Sequence, residues 1–491
     1  MTQLVGQGEN VQNPANYILN DITLFRQGLD GQDLGREGLQ IKTLAREIKI
    51  NESIYKNALN VDIRIMDSLK LLNTLRMNGT EKILLDISRT IGPLSIERFK
   101  LDLILSDIDL LTEVDPSTQS YVLKCVPEFA FINQTKTISD SFNNIGEAIK
   151  KICEGDLKIN REMLASELRQ QAFVDRFDPF DRGDDAKAVR TLPSVSIDGI
   201  YPKMKPLSVI NWLVRNLSDE GTPFYFYQTS DGKVRLRSYK SMLKTNYSDF
   251  DAASKGRPFS NAGFINYYGL ESPLKDSSKD LFQNEKMTIL KINQPSSLSA
   301  VKNIANGTYA SNLYTIDIAK KEYKFKNNFE YKNMETLNKE KPFSDKVKIG
   351  DNKLTDNVSA KNYYLNINND AFDSNKNYHS AVVNDIQKKE AYHSLLDSQV
   401  IDLTIPGNFH IRTGQVINLE ILSNKENQKV HADDDTDKVD AMLSGRFLVT
   451  SLEHVFTEQT HIVKLKVKRD SFNVDMNEPE LKKFKNEEVK A

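Results

Sequence analysis

Ile401-Asp402-Leu403-Thr404-Ile405 and Val463-Lys464-Leu465-Lys466-Val467-Lys468 each alternate apolar and polar side chains without interruption. Successive side chains of a strand point to opposite faces, so this period of two describes strands with one face in a core and the other toward solvent. Ile417, Leu419 and Ile421 repeat the pattern, and Phe447 and Val449 continue it. The same period occurs far upstream. Val61, Ile63 and Ile65 alternate with Asp62 and Arg64, and Ile83, Leu85 and Ile87 form a second set. Phe99, Leu101, Leu103 and Leu105 form a third, and Tyr121, Leu123 and Cys125 a fourth. Asn78-Gly79, just before the Ile83 run, suits a type I′ turn, because both residues tolerate the positive φ that such a turn requires. Residues 41–136 read as a small antiparallel barrel or sandwich, and the expected fold is α+β, mainly β: two such small β-domains, taken as β-barrels, at 41–136 and 386–472, with α+β material inserted between them.

The inserted material has its own punctuation. Ile138, Phe142, Ile145, Ile149 and Ile152 fall at helical spacing ahead of Gly155. Pro206 opens a second helix carrying Leu207, Ile210, Val214 and Leu217 on one face. An aromatic strand, Phe224-Tyr225-Phe226-Tyr227, then returns through Ser230-Asp231-Gly232-Lys233 to Val234, Leu236 and Ser238. Residues 137–245 therefore read as helix plus hairpin. Residues 246–385 read as a loop-rich insert, with a short helix near Leu298 to Ile304 and eight asparagines between Asp351 and Asn377. A helix near Ile386 to Leu396 leads into the second barrel. Residues 1–40, with Gly28, Gly31, Gly35 and Gly38, show no period and are expected to form an arm, and 473–491 a tail. No residue-level repeat links the two barrels.

A chain of 491 residues holds roughly three domains at about 150 residues each. Its 66 basic and 68 acidic residues leave a net charge of −2, so no field of one sign is available to draw in a polyanion along the whole molecule. Cys125 and Cys153 are the only cysteines, too few for a disulfide framework or a cysteine zinc cluster; both are expected reduced and buried. No signal peptide or apolar span is read, and the expectation is an intracellular product working in solution or in an assembly.

Candidate chemistries are each met by a plainer reading. All six histidines, His379, His393, His410, His431, His454 and His461, lie late in the chain, and none is spaced as HExxH or His-x3-5-His. Asp433, Asp434, Asp435, Asp437 and Asp440 suggest a calcium loop, but Lys438 stands where its glycine belongs and Ser444 where its glutamate belongs, so a solvated loop is expected. The glycines at 28 to 38 spell no phosphate-binding motif, and no GxSxG elbow is present. In the 320–332 segment, Lys320, Lys321, Lys324 and Lys326 interleave with Tyr323 and Phe325. Alternation separates aromatics from lysines, whereas base stacking beside phosphate contacts needs both on one face, so a strand with its aromatic side inward is expected. Lys464, Lys466 and Lys468 form a polar stripe opposite Val463, Leu465 and Val467. In an isolated barrel this is the solvated face; in a ring of barrels the same face meets a neighbour or a channel, which makes these three the candidate interface residues.

Three stretches resemble a known family. They are Met77 to Ser88 in the first barrel, Trp212 to Tyr239 in the helix and hairpin, and Ile405-Pro406-Gly407-Asn408-Phe409-His410-Ile411-Arg412-Thr413-Gly414-Gln415-Val416-Ile417 in the second. From about residue 41 the chain resembles the central baseplate hub protein of contractile-tailed, T-even-like bacteriophages. In that family Gly-Asn-Phe precedes the central hairpin of the second barrel and a glycine closes the following turn, the places taken here by Gly407-Asn408-Phe409 and Gly414. The chain departs from the family in its long arm, its longer middle insert and the acidic loop at 433–440.

The resemblance implies a structural virion protein of the tail baseplate, assembled in the host cytoplasm, with no enzymatic activity and no cofactor. It implies a homotrimer whose barrels form a pseudo-sixfold ring between the sixfold tail tube and the threefold central spike. The implied partners are the spike protein, tail-tube or tube-initiator proteins and baseplate wedge proteins, with DNA only as passing cargo. Two rival readings stay open: a baseplate-associated cell-wall hydrolase, which needs a raised-pKa acid and a second carboxylate across a cleft, and a nucleic-acid binder using the 320–332 segment.

Overall fold

A computed structural model describes residues 15–26, 38–91, 95–115, 117–160, 162–165, 174–175, 190–191, 196–218, 221–243, 265–269, 285–296, 299–326, 329–338, 340–342, 348–356, 360–367, 378–422, 440, 442–458 and 460–472. Strands from both ends of the chain enter one 13-stranded sheet. The early strands are β1 (Ile18–Phe25), β2 (Leu39–Gln40), β3 (Ala45–Ser53), β4 (Asn60–Asp67), β5 (Lys82–Ile91), β6 (Ser95–Asp115) and β7 (Thr118–Pro127). The later ones are β8 (Ile265–Tyr268), β9 (Lys291–Ser296), β10 (Gln399–Pro406), β11 (Val416–Glu420), β12 (Gly445–Thr457) and β13 (His461–Arg469). The order is β9-β10-β13-β12-β3-β4-β7-β6-β5-β1-β2, with β11 also on β12 and β8 parallel to β11. The strands expected in two separate barrels thus form one sheet, and among the described residues its pairings make an open path rather than closed rings.

The long strand β12 makes the junction. Its first residues pair with β11, Val416 opposite Leu448, and its last seven pair with β3, from Ser451 opposite Ser53 to Thr457 opposite Glu47. A register shift between Val449 and Ser451 marks the change of partner; a bulge bends a strand and strengthens its twist, which lets one strand serve two neighbours along the same edge. Two cores result. One collects Ile22, Ile48, Ile63, Leu85, Leu101 and Leu123, and also takes Phe409 and Phe456 from the far end of the chain. The other collects Ile401, Leu403, Ile405, Ile417, Phe447, Leu465 and Val467.

The expected arm needs correction. Residues 18–25 are a strand along β5, and Tyr17, Leu19, Ile22 and Leu24 are buried in the first core. A bulge between Leu19 and Asp21 breaks the alternation, which is why the segment shows no period in the sequence. Asn78-Gly79 also differs from expectation, because β4 and β5 are not neighbours. Gly79 does take φ 88°, but the turn is held by the buried Glu81 carboxylate, which accepts the N–H groups of Asn78, Gly79 and Thr80 at 2.8, 2.9 and 3.1 Å. The first expected helix starts later than its periodicity: Ser141–Asn144 is a strand, and the helix runs Ile145–Lys151, continued by a π-helical turn Ile152–Asp156, behind the Asn144 side chain, which accepts from Gly146 N and Glu147 N.

The hairpin at 224–238 forms as expected, Phe224 opposite Ser238 and Gln228 opposite Val234. Its first strand is buried on both faces. Phe224 and Phe226 pack with Ile149, Ile210 and Leu213, while Tyr225 and Tyr227 pack with Tyr239, Tyr392, Leu395 and Val416. At about 1.5–3 kcal/mol for each large apolar side chain removed from water, this strand cements the inserted unit to the sheet. Among the described residues the later α-helices include Tyr239–Leu243, Ala300–Ala305 and Tyr378–Leu396. Cys125 and Cys153 are buried free thiols whose pKa values burial pushes up.

Candidate assembly interface and the junction behind it

Because β13 alternates, its even-numbered lysines leave the sheet on the side opposite Val463, Leu465 and Val467. Lys464 pairs with Glu453 of β12 at 2.9 Å and Lys466 approaches Asp402 of β10 at 3.8 Å. Both line a trough of about 560 Å³ on the outer face of the sheet, together with Lys56, Lys291, Asp402 and Glu453. Lys468 is placed differently: it reaches Asp397 at 2.6 Å and lies 4.8 Å from the centre of the Tyr55 ring. The structure thus brings Lys464 and Lys466 together with two acids and turns Lys468 to a structural contact. Exposed pairs of this kind contribute about 0–1 kcal/mol each, so the trough is a charged, adaptable surface rather than a stabilising cluster.

Behind this face lies a buried charged junction. Arg89 of β5 donates through Nε to Glu97 Oε2 of β6 at 3.0 Å and through Nη1 to the Gly407 carbonyl at 2.8 Å. Lys286 Nζ at 3.3 Å and His410 Nε2 at 2.5 Å meet the other Glu97 oxygen. Burial pushes the Glu97 carboxyl up, but His410, Lys286 and Arg89 outweigh it and hold it well below the usual carboxylate range. Phe99 stacks on Phe409 at 4.6 Å, with Arg412 against the first ring and Arg89 against the second. The Gly407-Asn408-Phe409 motif therefore feeds a carbonyl and a ring into the first core.

Glu52 of β3 is also buried. Its carboxylate accepts Thr413 N at 2.8 Å and Ser230 N, and burial pushes its pKa up to about 7, partly offset by Arg412. Ser230 Oγ lies 3.4 Å from His454 Nε2, and His454 Nδ1 lies 3.1 Å from His461 Nε2. Burial lowers the pKa of both imidazoles well below the ordinary histidine value, helped by Arg412 and Arg89 at His454 and by His454 and Arg89 at His461. Sequence spacing did not pair these histidines; the β12–β13 hairpin does, since Phe456 opposes His461. The signal was present in the two alternating runs, which are close enough to form a hairpin. Among the described residues no group of three or more His, Cys, Asp or Glu side chains is arranged to hold a metal ion.

The 320–332 segment reverses its expectation. Strands Asn312–Asp317, Glu322–Lys326 and Asn362–Ile367 form a separate sheet, and Tyr323 and Phe325 face outward, 61% and 55% exposed. Tyr364 is 63% exposed, and Tyr314 packs against Tyr323, Phe325 and Tyr364 at 5.6, 5.4 and 5.1 Å. The inner face belongs to Leu313, Thr315 and Asp317, all buried. The central strand chose the face, and the aromatics followed its register. Of the acidic loop only Asp440 lies among the described residues, where its carboxylate accepts the N–H groups of Met442 and Leu443.

No family model and no curated protein matches the chain. Solved structures do. It is similar to the tail protein from Neisseria meningitidis MC58, with 9% identity over 92% of this chain and 97% of that one and a TM-score of 0.44. It is similar to the 43 kDa tail protein of prophage MuSo2 from Shewanella oneidensis, with 10% identity over 92% and 98% of the two chains and a TM-score of 0.44. A chain of the phage P2 baseplate in its activated conformation is 11% identical over 91% of this chain and 98% of that one, with a TM-score of 0.27. No helix among the described residues is long and apolar enough to cross a membrane.

Proposed function

We propose that this chain is a structural protein of a contractile phage-tail baseplate, a homotrimeric hub that joins a sixfold tail tube to a threefold central spike. The observation that carries the reading is the β3–β12 pairing, which fuses β-units from the two ends of one chain into one sheet while each keeps its own core. Three copies then supply six β-units, enough for a threefold assembly to offer a sixfold surface. The units at 41–136, together with the strand at 18–25 that joins its core, and 386–472 are the ring-forming domains in this reading, 137–245 and 246–385 the inserted ones, and the terminal segments beyond them serve contacts. Lys464, Lys466 and Lys468 lie on the face that meets a neighbour or the channel. The spike, the tube or its initiator and the wedge proteins are the partners, and DNA passes as cargo in the virion tail, assembled in the host cytoplasm.

The perturbed carboxylates favour this reading over a hydrolase. Glu52 and Glu97 are buried and their carboxylates are engaged by backbone N–H groups, a guanidinium and an ammonium, so neither is free to protonate a leaving group as a general acid would. Light scattering of the full chain, alone and with a spike protein, is expected to give three times the chain mass in at least one case. Lys464→Glu with Lys466→Glu is expected to lower the oligomer fraction. A monomer under both conditions would sink the trimer, and cleared zones on a cell-wall gel that vanish when one carboxylate is changed would replace the hub with an enzyme.

A further inference from the structure

The described surface carries two exposed apolar patches of opposite electrostatic character. The first is on β6. This strand is 21 residues long, but its partner β5 reaches only to Ile104, where Lys82 stands opposite. From Ser106 onward β6 pairs on one side only, with β7, among the described residues. That free edge carries Leu110, Leu111 and Val114, 62%, 58% and 51% exposed, between Asp107, Glu113 and Asp115. An exposed edge strand with large apolar side chains is a template for pairing with another chain.

The second patch is the aromatic face of the small sheet. Strand Glu322–Lys326 is an edge strand in the order given by its pairings, and it presents Tyr323 and Phe325 beside Tyr314 and Tyr364. Lys320 and Lys321 stand at the turn before it, while Lys324 points to the other face of the strand, where it opposes Thr315 and pairs with Glu322 at 2.7 Å. Exposed apolar patches rimmed by polar residues mark interaction sites. One patch is apolar within acids, the other aromatic with two lysines at its entry turn and a third on the reverse face of its strand, and among the described residues each includes a sheet edge paired on one side only.

We propose that these are the two halves of one contact between copies of this chain: the acidic edge 106–115 of one copy docks on the aromatic, lysine-rimmed edge of the next. Leucine and valine side chains meet the tyrosine and phenylalanine rings, acids meet lysines, and the two edges pair as strands. Because the two surfaces differ, the contact is heterologous and repeats head to tail, so it closes into a ring where the rotation permits. The trimer reading supplies only the number of copies; the contact itself rests on the two surfaces.

The test is disulfide trapping in full-length protein, whose own two cysteines are buried. Chains carrying Val114→Cys mixed with chains carrying Tyr323→Cys are expected to give a covalent pair under mild oxidation that neither chain gives alone. Glu113→Lys with Asp115→Lys is expected to weaken self-association by roughly tenfold or more, and mixing with Lys320→Glu, Lys321→Glu chains to restore it. A chain that stays monomeric at every concentration overturns the proposal. So does a chain that oligomerises by light scattering yet gives no mixed disulfide and ignores both charge reversals; in that case the hub reading stands and only the assigned contact falls.

Discussion

Glu52 and Thr413 stand 361 positions apart in the chain, and the buried carboxylate of the first accepts the backbone N–H of the second at 2.8 Å. The same carboxylate accepts from Ser230, so one side chain of β3 pins both the inserted hairpin and the loop that follows β10. Arg412 and Asp231 supply the charges nearest to it.

The Glu52 pin makes stability depend on pH in an unusual direction for a carboxylate. Its pKa is raised from 4.5 to about 7 on folding, so the folded state holds a proton that the unfolded state has released. Its contribution is complete below pH 4.5 and is lost as pH rises toward 7, by about 3 kcal/mol as an order of magnitude. In Glu52→Gln this slope should flatten, as read by urea midpoints across that range. An unchanged slope would mean that Glu52 folds ionised.

The histidine pair acts in the opposite sense. His454 and His461 are neutral when folded, with pKa values depressed below the ordinary value of 6.5. Their contribution is present above pH 6.5 and is lost as pH falls through the depressed values. His461→Phe keeps an aromatic ring stacked on Phe456 and is expected to flatten the acid limb of the stability profile. The measurement is the thermal midpoint from neutral pH downward, compared with the unaltered chain.

Glu97 faces the buried cations Arg89 and Lys286, so its neutralisation strands them. Glu97→Gln should destabilise by about 3–5 kcal/mol, the usual range when one partner of a buried ion pair is removed. Its depressed pKa also means that this contribution is present above pH 4.5 and is lost as pH falls below it. Denaturant unfolding at neutral pH checks the magnitude, and a loss below 1 kcal/mol would show a junction that water already screens.

Gly414 combines φ 80° with a site where a Cβ would run into the Tyr227 hydroxyl. Gly414→Ala is therefore strained in backbone and packing together and is expected to cost about 1–3 kcal/mol. A urea midpoint equal to that of the unaltered chain would show that the loop repacks freely.

The local patterns of this chain carry most of its strands. Val463, Leu465 and Val467 alternate because one face of β13 is buried, and the hairpin at 224–238 is legible from its aromatic run and its Asp-Gly turn. Where a bulge interrupts the period, as between Leu19 and Asp21, a strand disappears from the sequence although its side chains fill a core. Long-range pairing is beyond such patterns altogether. That β12 adds to β3, so that Phe409 and Phe456 lie in the first core and Glu52 meets Thr413, depends on which edges meet across the whole chain. The 320–326 segment shows the same limit at short range: alternation separates Tyr323 and Phe325 from Lys324 with certainty, but both faces of an isolated strand satisfy the pattern equally. The buried Leu313 of the neighbouring strand decides which face turns inward, because period two sorts side chains into two sets and only packing against a core ranks them.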